Sequence, residues 1–160
     1  MEGTVCLIIK KNRILMKLAV RGISKGRWNF PGGKIGATET PRQGSDREVL
    51  EETGLTVSRA RYHGKLFFAF EGRPERDWHV HLFSTKSFSG KVTEGDEGPL
   101  KWFGAKALPV GSMWAGDEVW VPAVLAGKAI GGSFTYDAAG QKLLSYEFNE
   151  LGDASGEGPP

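Results

Sequence analysis

The feature that most constrains this chain is the segment of residues 33–55, where glycines and charges stand at fixed spacings. Five residues separate Gly33 from Glu39, and seven more separate Glu39 from Arg47. Three carboxylates follow within five residues, at Glu48, Glu51 and Glu52. A sharp loop that leads into so acidic a stretch indicates a site for a divalent cation that works on phosphates.

Local signals place the acidic stretch on a helix. Thr40 suits the N-cap, Pro41 suits the first helical position, and Gly54 provides the stop after about Thr53. On such a helix the three carboxylates are spaced i, i+3 and i+4 and share one face. Their repulsion destabilises the helix unless a cation relieves it. Magnesium prefers clustered carboxylate oxygens together with waters and substrate phosphates.

Other residues of this helix have structural roles. Arg47 is expected to point away from the acids and to pair with Glu39, which braces the loop against the helix. Val49 and Leu50 are expected to pack on a sheet. A solvated acidic face is the alternative, but such a face does not require glycines and an arginine at fixed spacings.

Predicted strands stand on both sides of the helix. Residues 4–9 form an apolar run typical of a strand buried on both faces, and residues 14–20 resume as its hairpin partner, interrupted by Lys17. Further strands are predicted within residues 55–70, 78–83, 100–103, 134–137 and 143–148. Residues 84–98 are polar, and a second helix is predicted over residues 119–125. We expect one mixed α/β domain over residues 1–153 and a disordered tail over residues 154–160.

Composition excludes several classes of protein. Of the 160 residues, 25% are charged and the formal net charge is +2, which gives no overall field for binding long nucleic acid. No segment approaches the roughly 20 apolar residues of a membrane span. The single cysteine, Cys6, lies in an apolar run and is expected in the core. A cytoplasmic location is expected.

Residues 33–55 match every fixed position of GX5EX7REUXEEXGU, with U aliphatic, and so resemble the Nudix box. The resemblance implies a Nudix α/β/α sandwich with a mixed central sheet. It also implies hydrolysis of a nucleoside diphosphate linked to another moiety.

The resemblance further assigns roles within and near the box. It implies a site for Mg²⁺ or Mn²⁺ whose ligands are Glu48 and Glu52, with Glu51 assisting, Glu97 from a later loop, and the backbone carbonyl of Gly32 or Gly33. It makes Glu39 and Arg47 the structural pair. The carboxylate that takes the proton from the attacking water is left open among Glu48, Glu52 and Glu97. The alternative for Glu97 is an exposed loop charge.

Aromatic segments outside the box resemble the oxidised-purine branch of the same family; they are residues 27–29, 66–70, 78–81, 102–103 and 113–122. The resemblance implies that oxidised purine nucleoside triphosphates, such as 8-oxo-dGTP and 2-hydroxy-dATP, are converted to monophosphate and pyrophosphate, which cleans the nucleotide pool. The expected partner is this small molecule, and a monomer is expected. The alternatives are ordinary nucleoside triphosphates, ADP-ribose, capped RNA, or a non-catalytic nucleotide sensor.

The residue types in these segments suit a purine. A flat base stacks on aromatic rings, for which Trp114 is the platform and Phe68 or Phe70 the opposing wall. Asn29 offers a donor and an acceptor to a base edge. Asp117 can accept a hydrogen bond, or donate one if burial raises its pKa. The alternatives are a core tryptophan, a turn asparagine and a helix N-cap.

Two further positions bear on specificity. Residues 21–27 form a predicted loop whose tip, including Lys25, can contact phosphate or base; a solvated turn is the alternative. Ile23 stands where the resembled branch has an aromatic residue, and Gly116 stands where it has the first of two adjacent acids. We therefore expect a purine preference, with a different breadth across oxidised guanine and adenine forms.

Overall fold

The computed structural model describes residues 1–154 and residue 156, which form a mixed sheet and two α-helices. The elements in chain order are β1 (Glu2–Lys10), β2 (Arg13–Leu18), β3 (Trp28–Asn29), β4 (Gly32–Lys34), α1 (Pro41–Thr53), β5 (Leu55–Phe70), β6 (Trp78–Gly90), β7 (Leu100–Gly104), α2 (Asp117–Leu125), β8 (Lys128–Tyr136) and β9 (Leu143–Asp153). Short 3₁₀ turns cover Pro74–Arg76 and Val110–Ser112.

The sheet is built around its first strand. The strand order is β3-β2-β1-β6-β5-β8-β9, with β4 paired to β1 and β7 paired to β2. β1 runs parallel to β6, and β5 runs parallel to β8, whereas the other pairs are antiparallel. The predicted mixed central sheet is therefore confirmed.

Alternation along β1 sends apolar side chains to both faces of the sheet, as the continuous apolar run predicts. Leu7 and Ile9 enter one core cluster, to which α2 contributes Trp120, Val121, Ala123 and Val124. Cys6 and Ile8 enter a second cluster, to which α1 contributes Val49. Each helix thus covers one face, and the α/β/α sandwich is confirmed. Burial raises the pKa of the Cys6 thiol to about 12, so it remains a neutral core residue.

The boundaries of α1 follow from its caps. The Thr40 hydroxyl accepts a hydrogen bond from the Gln43 N–H, and the Gln43 side chain accepts one from the Thr40 N–H, which completes a capping box. Gly54 ends the helix with a left-handed φ of 81°. The prediction for Leu50 was wrong: its side chain is 50% exposed, because the adjacent Val49 already occupies the buried face.

The β5–β6 ribbon is longer than the sequence indicates. β6 continues to Gly90 through residues predicted to be a polar connection, because it keeps pairing with β5 as far as Leu55. Three register shifts along β5 bend this ribbon. They lie between Val57 and Arg59, between Arg59 and Arg61, and between Tyr62 and Gly64.

β9 ends at Asp153, and the bounds of the predicted domain stay a prediction. Ala154 is buried, and its N–H donates to the Gly127 carbonyl. Residues 155 and 157–160 of the predicted tail lie outside the described residues. Of the helices that the structure describes, none combines the length and hydropathy of a membrane-crossing segment.

Candidate active site

The glycine turn and the acidic face of α1 meet in the folded chain. The Glu52 side chain is 4% exposed, and its Oε1 accepts a hydrogen bond of 2.8 Å from the Gly32 N–H. The Glu48 carboxylate lies against Gly33 so closely that a Cβ on that glycine would stand 2.6 Å from its Cδ. A side chain at position 33 would therefore displace the Glu48 carboxylate from its present position.

A lysine lies between two of the predicted ligands. The Lys17 ammonium pairs with Oε2 of Glu52, and it is 3.6 Å from Oε2 of Glu97. The Lys17 side chain is 13% exposed, whereas that of Glu97 is 56% exposed. Burial is the main cause that raises the pKa of Glu52, and the bond to Lys17 opposes it. Glu97 lies in a loop 45 residues after Glu52, and the fold brings both carboxylates to the Lys17 ammonium.

Arg47 holds the loop to the helix, as predicted. Its Nε and Nη2 donate to Glu39 at 2.7 and 2.9 Å, and Nη2 also donates to the Lys34 carbonyl. The hydrogen bonds from Arg47 hold the pKa of Glu39 at about 2. Contrary to the expectation that Arg47 points away from the acids, its Nη1 reaches Glu48 at 2.8 Å and Glu51 at 3.2 Å.

Replacing Arg47 by methionine is expected to weaken Mn²⁺ binding and to lower kcat, each by about 10- to 100-fold, because a group that orients a metal ligand is lost. Titration of the protein with Mn²⁺, followed by electron paramagnetic resonance, measures the first effect. Arg42→Met is the matched control, since Arg42 pairs with Asp46 on the same helix. Equal behaviour of the two variants would contradict this role of Arg47.

The glutamate carboxylates at this site are oxygen ligands of the kind that a divalent cation binds. In this structure they are paired with Lys17 and Arg47. Among residues 1–154 and 156, no three His, Cys, Asp or Glu side chains already converge as a metal site. Glu52 and Glu97 nevertheless hold one positive charge between them, that of Lys17, and Glu48 and Glu51 share another, that of Arg47. Carboxylates that already surround one positive charge also suit a divalent cation such as Mg²⁺, which prefers oxygen ligands.

A cavity of about 380 Å³ extends from this acidic end. Its wall contains Gly32, Gly33, Lys17 and Glu97 at one end, and it also contains most of the predicted base-binding residues, namely Ile23, Asn29, Phe68, Phe70, Trp114 and Asp117. The lining includes Glu97 and two partners of Glu52, namely Lys17 and Gly32, but it does not include Glu48, Glu51 or Glu52 themselves.

Trp114 is only partly buried and is held on several sides. Its Nε1 donates to the Ser24 hydroxyl at 2.9 Å. The Arg27 guanidinium lies 4.2 Å from the ring centroid, which covers one face of the indole. Phe70 and Tyr136 meet the ring at steep angles. At most one face is thus left for a base.

Asp117 is buried at the start of α2, where the preceding Gly116, not Asp117, is the N-cap. Its Oδ1 accepts a hydrogen bond from Trp120 Nε1 at 3.2 Å, and burial raises the pKa of the Asp117 carboxyl to about 7. Asn29 Nδ2 donates to the Arg27 carbonyl at 3.0 Å, which leaves its amide oxygen for a ligand.

The backbone explains why a glycine, and not an acid, precedes Asp117, whose other neighbour is the exposed Glu118. Gly116 has a φ of 99°, and a Cβ on it would stand 2.8 Å from the Phe134 ring. An acidic side chain at that position would require both the loop and Phe134 to move. Lys25 is exposed and is not among the residues that line the cavity, whereas Ile23 lines it.

Several contributors were missed from the sequence. Lys17 was noted only as an interruption of a strand, although one charge inside an alternating apolar strand is a usable signal. Arg27 lies in a loop, as expected, but its packing on Trp114 was not predicted. Two cavity residues from distant elements, Thr4 and Tyr136, carried no signal of their own, and Trp120 was noted only within a segment that carries the resemblance.

The chain is similar to known proteins over most of its length. The family model described as the NUDIX domain matches residues 2–124. The oxidized purine nucleoside triphosphate hydrolase of Mus musculus is 36% identical over 148 residues, covering 92% of this chain and 94% of the relative. The protein of the same name from Danio rerio is 34% identical, covering 94% and 95%. The crystal structure of a MutT protein from Bacillus halodurans superposes with a TM-score of 0.82, at 28% identity, over 92% of this chain and 97% of that one.

Proposed function

The chain belongs to the NUDIX hydrolase family, and from this premise we propose that it hydrolyses oxidised purine nucleoside triphosphates to the monophosphate and pyrophosphate. The observation that carries the proposal is a cavity lined both by Lys17 and Gly32, which are the partners of Glu52, and by the base-binding candidates Trp114 and Asp117. A nucleoside triphosphate likewise combines a charged phosphate chain with a flat aromatic base. The corresponding biological role is the removal of oxidised nucleotides from the nucleotide pool. In this proposal the protein acts as a monomer in the cytoplasm.

We assign the cation as Mg²⁺, for which Mn²⁺ can substitute. Glu48 and Glu52 are the main ligands in this assignment, Glu51 and Glu97 assist, and the carbonyl of Gly32 or Gly33 completes the set. When bound, the cation offsets negative charge on the phosphates and lowers the pKa of a bound water. The support is the gathering of these groups around Lys17 and Arg47.

A carboxylate has to take the proton of the attacking water. The candidates are Glu48, Glu52 and Glu97. Burial raises the pKa of the Glu52 carboxyl, which makes it a stronger base than an exposed carboxylate and supports its choice among the three. The hydrogen bond from the Gly32 N–H holds this carboxylate in a fixed orientation.

Asp117 and Asn29 are proposed to read the purine edge. An oxidised purine carries an N–H where the ordinary purine has an acceptor, so a carboxylate that accepts a hydrogen bond discriminates between them. With a pKa of about 7, Asp117 is present in both protonation states near neutral pH and can also donate. Because residue 116 is a glycine and not an acid, the carboxyl group of Asp117 alone reads the purine edge in this proposal.

A substrate panel with Mg²⁺ tests the proposal. We expect kcat/KM for 8-oxo-dGTP and 2-hydroxy-dATP to exceed that for dGTP and dATP. If the oxidised forms are turned over no better, the proposed specificity fails. Preferential turnover of ADP-ribose or capped RNA would then identify a different Nudix substrate, and no hydrolysis of any of them would favour a sensing module.

Trp114→Ala is expected to raise KM for 8-oxo-dGTP by about 5- to 150-fold, the value of one base stack. Mn²⁺ binding should not change, because the contacts of the Trp114 ring are with Ser24, Arg27, Phe70 and Tyr136 and not with the proposed ligands. Trp114→Phe is the matched control and should retain most of the affinity, since it keeps a ring and loses only the bond to Ser24. A loss of thermal stability with an unchanged KM would show instead that Trp114 is a core residue.

A further inference from the structure

Lys17 occupies a position that the proposed chemistry does not explain. It lies on β2, and the alternation along that strand places it on the same face as Leu15, whose cluster includes Val49 of α1. Its side chain is largely buried, and its ammonium contacts two acids, Glu52 and Glu97. A buried ammonium is costly unless it is paired, so these two carboxylates account for its place in the fold.

The same pairing conflicts with a cation on Glu52. Oε1 of Glu52 accepts from the Gly32 N–H, and Oε2 is taken by Lys17, so both oxygens already have partners. A divalent cation on this carboxylate has to displace the ammonium or stand directly beside it. Because like charges repel strongly at such distances, the displaced ammonium needs another anion.

We propose that Lys17 is a movable counter-ion that couples cation binding to triphosphate binding. It neutralises Glu52 and Glu97 when the cation is absent, and it moves to a phosphate oxygen of the substrate when the cation takes these carboxylates. The inference rests on the proposed metal ligands. It adds a positioning residue for the triphosphate and a reason for the two ligands to bind together.

The geometry provides for this movement. Lys17 lines the same cavity as Gly32 and Gly33, and this cavity holds the phosphates in the proposed function. An ammonium on a flexible four-carbon stem can turn between neighbouring anions. Each ligand then supplies what the other requires: the cation frees the ammonium, and the triphosphate receives it. By linkage, each strengthens the binding of the other by the same factor.

The first test is a titration of the intact protein with Mn²⁺ alone, without nucleotide, followed by electron paramagnetic resonance of the free ion. Lys17→Met removes the competing charge and is expected to tighten Mn²⁺ binding by about 5- to 150-fold, the usual range of such coupling. Lys17→Arg keeps the charge and is expected to bind Mn²⁺ no more tightly than the wild type. Tighter binding cannot arise from a variant that fails to fold.

The second test separates KM from kcat. At saturating Mn²⁺, Lys17→Met is expected to raise KM for 8-oxo-dGTP more than it lowers kcat, since a phosphate contact is lost. Mn²⁺ affinity equal to or weaker than that of the wild type would overturn the counter-ion role, as would an unchanged KM.

A third variant distinguishes the failure of this inference from that of the proposed metal site. If Glu52→Gln loses Mn²⁺ binding while Lys17→Met leaves it unchanged, only the inference about Lys17 is wrong. If Glu52→Gln binds Mn²⁺ like the wild type, the metal assignment fails and the inference falls with it.

Discussion

Glu52→Gln is expected to lower kcat by about 10²- to 10⁴-fold, the range for losing a group that takes part in proton transfer. The amide keeps the shape of the side chain, and its oxygen can still accept the Gly32 N–H, so the fold should persist. Lys17 retains Glu97 as a partner. Steady-state hydrolysis of 8-oxo-dGTP, with circular dichroism to verify folding, measures the effect.

Glu51→Gln is the matched control for this prediction. Glu51 lies one residue away on the same helix, but its side chain is 57% exposed and pairs with Arg47 at the surface. Its substitution should therefore cost far less activity than that of Glu52. Nucleotide binding should survive in Glu52→Gln, because the aromatic end of the cavity is unchanged. Turnover by Glu52→Gln at the wild-type rate would contradict the assignment of Glu52 to the site.

Asp117→Asn is expected to change how stability depends on pH. The Asp117 carboxyl has a pKa of about 7 in the folded chain, against 3.8 as the ordinary value. The folded state therefore binds the proton more tightly than the unfolded state. The stability that this group contributes is complete below pH 4, is lost as pH rises to about 7, and stays lost above it. The loss amounts to about 4 kcal/mol.

The variant isolates this contribution because asparagine does not titrate. Relative to wild type, its free energy of unfolding should rise by about 4 kcal/mol between pH 4 and pH 8, whatever constant offset the amide introduces. Urea unfolding at both pH values measures the change. Glu118→Gln, at the exposed neighbouring position, is the control. Parallel pH profiles for Asp117→Asn and wild type would show that the buried carboxyl ionises as it does in water.

Local signals predicted the elements that depend on neighbours in the sequence. α1 begins at Pro41 and ends at Thr53 as expected, because Thr40 and Gly54 act within a few residues of the helix ends. The Glu39–Arg47 pair also followed from local spacing. Glu39 lies in the loop just before α1 and only eight positions from Arg47, so this contact is local in sequence.

Long-range features could not be obtained in this way. The length of β6 depends on pairing with β5, which overrides the polar character of residues 84–90. The contact between Lys17 and Glu52 joins residues 35 positions apart, so the strand pattern shows an unexpected charge but not its partner. The cover of Arg27 on Trp114, and the buried state of Asp117, likewise depend on how distant elements pack.

The parallel pairing of β1 with β6 has a consequence for how the chain reaches its native state. One edge of β1 pairs with β2 and β4, which are close in sequence, but its other edge must wait for a partner that begins at Trp78. Until then its backbone groups and residues such as Leu7 and Ile8 form an unprotected edge that can pair with other chains. Contacts so far apart in sequence also slow folding. Aggregation of incomplete or slowly folding chains is therefore a hazard that arises from the same central strand that supports the site.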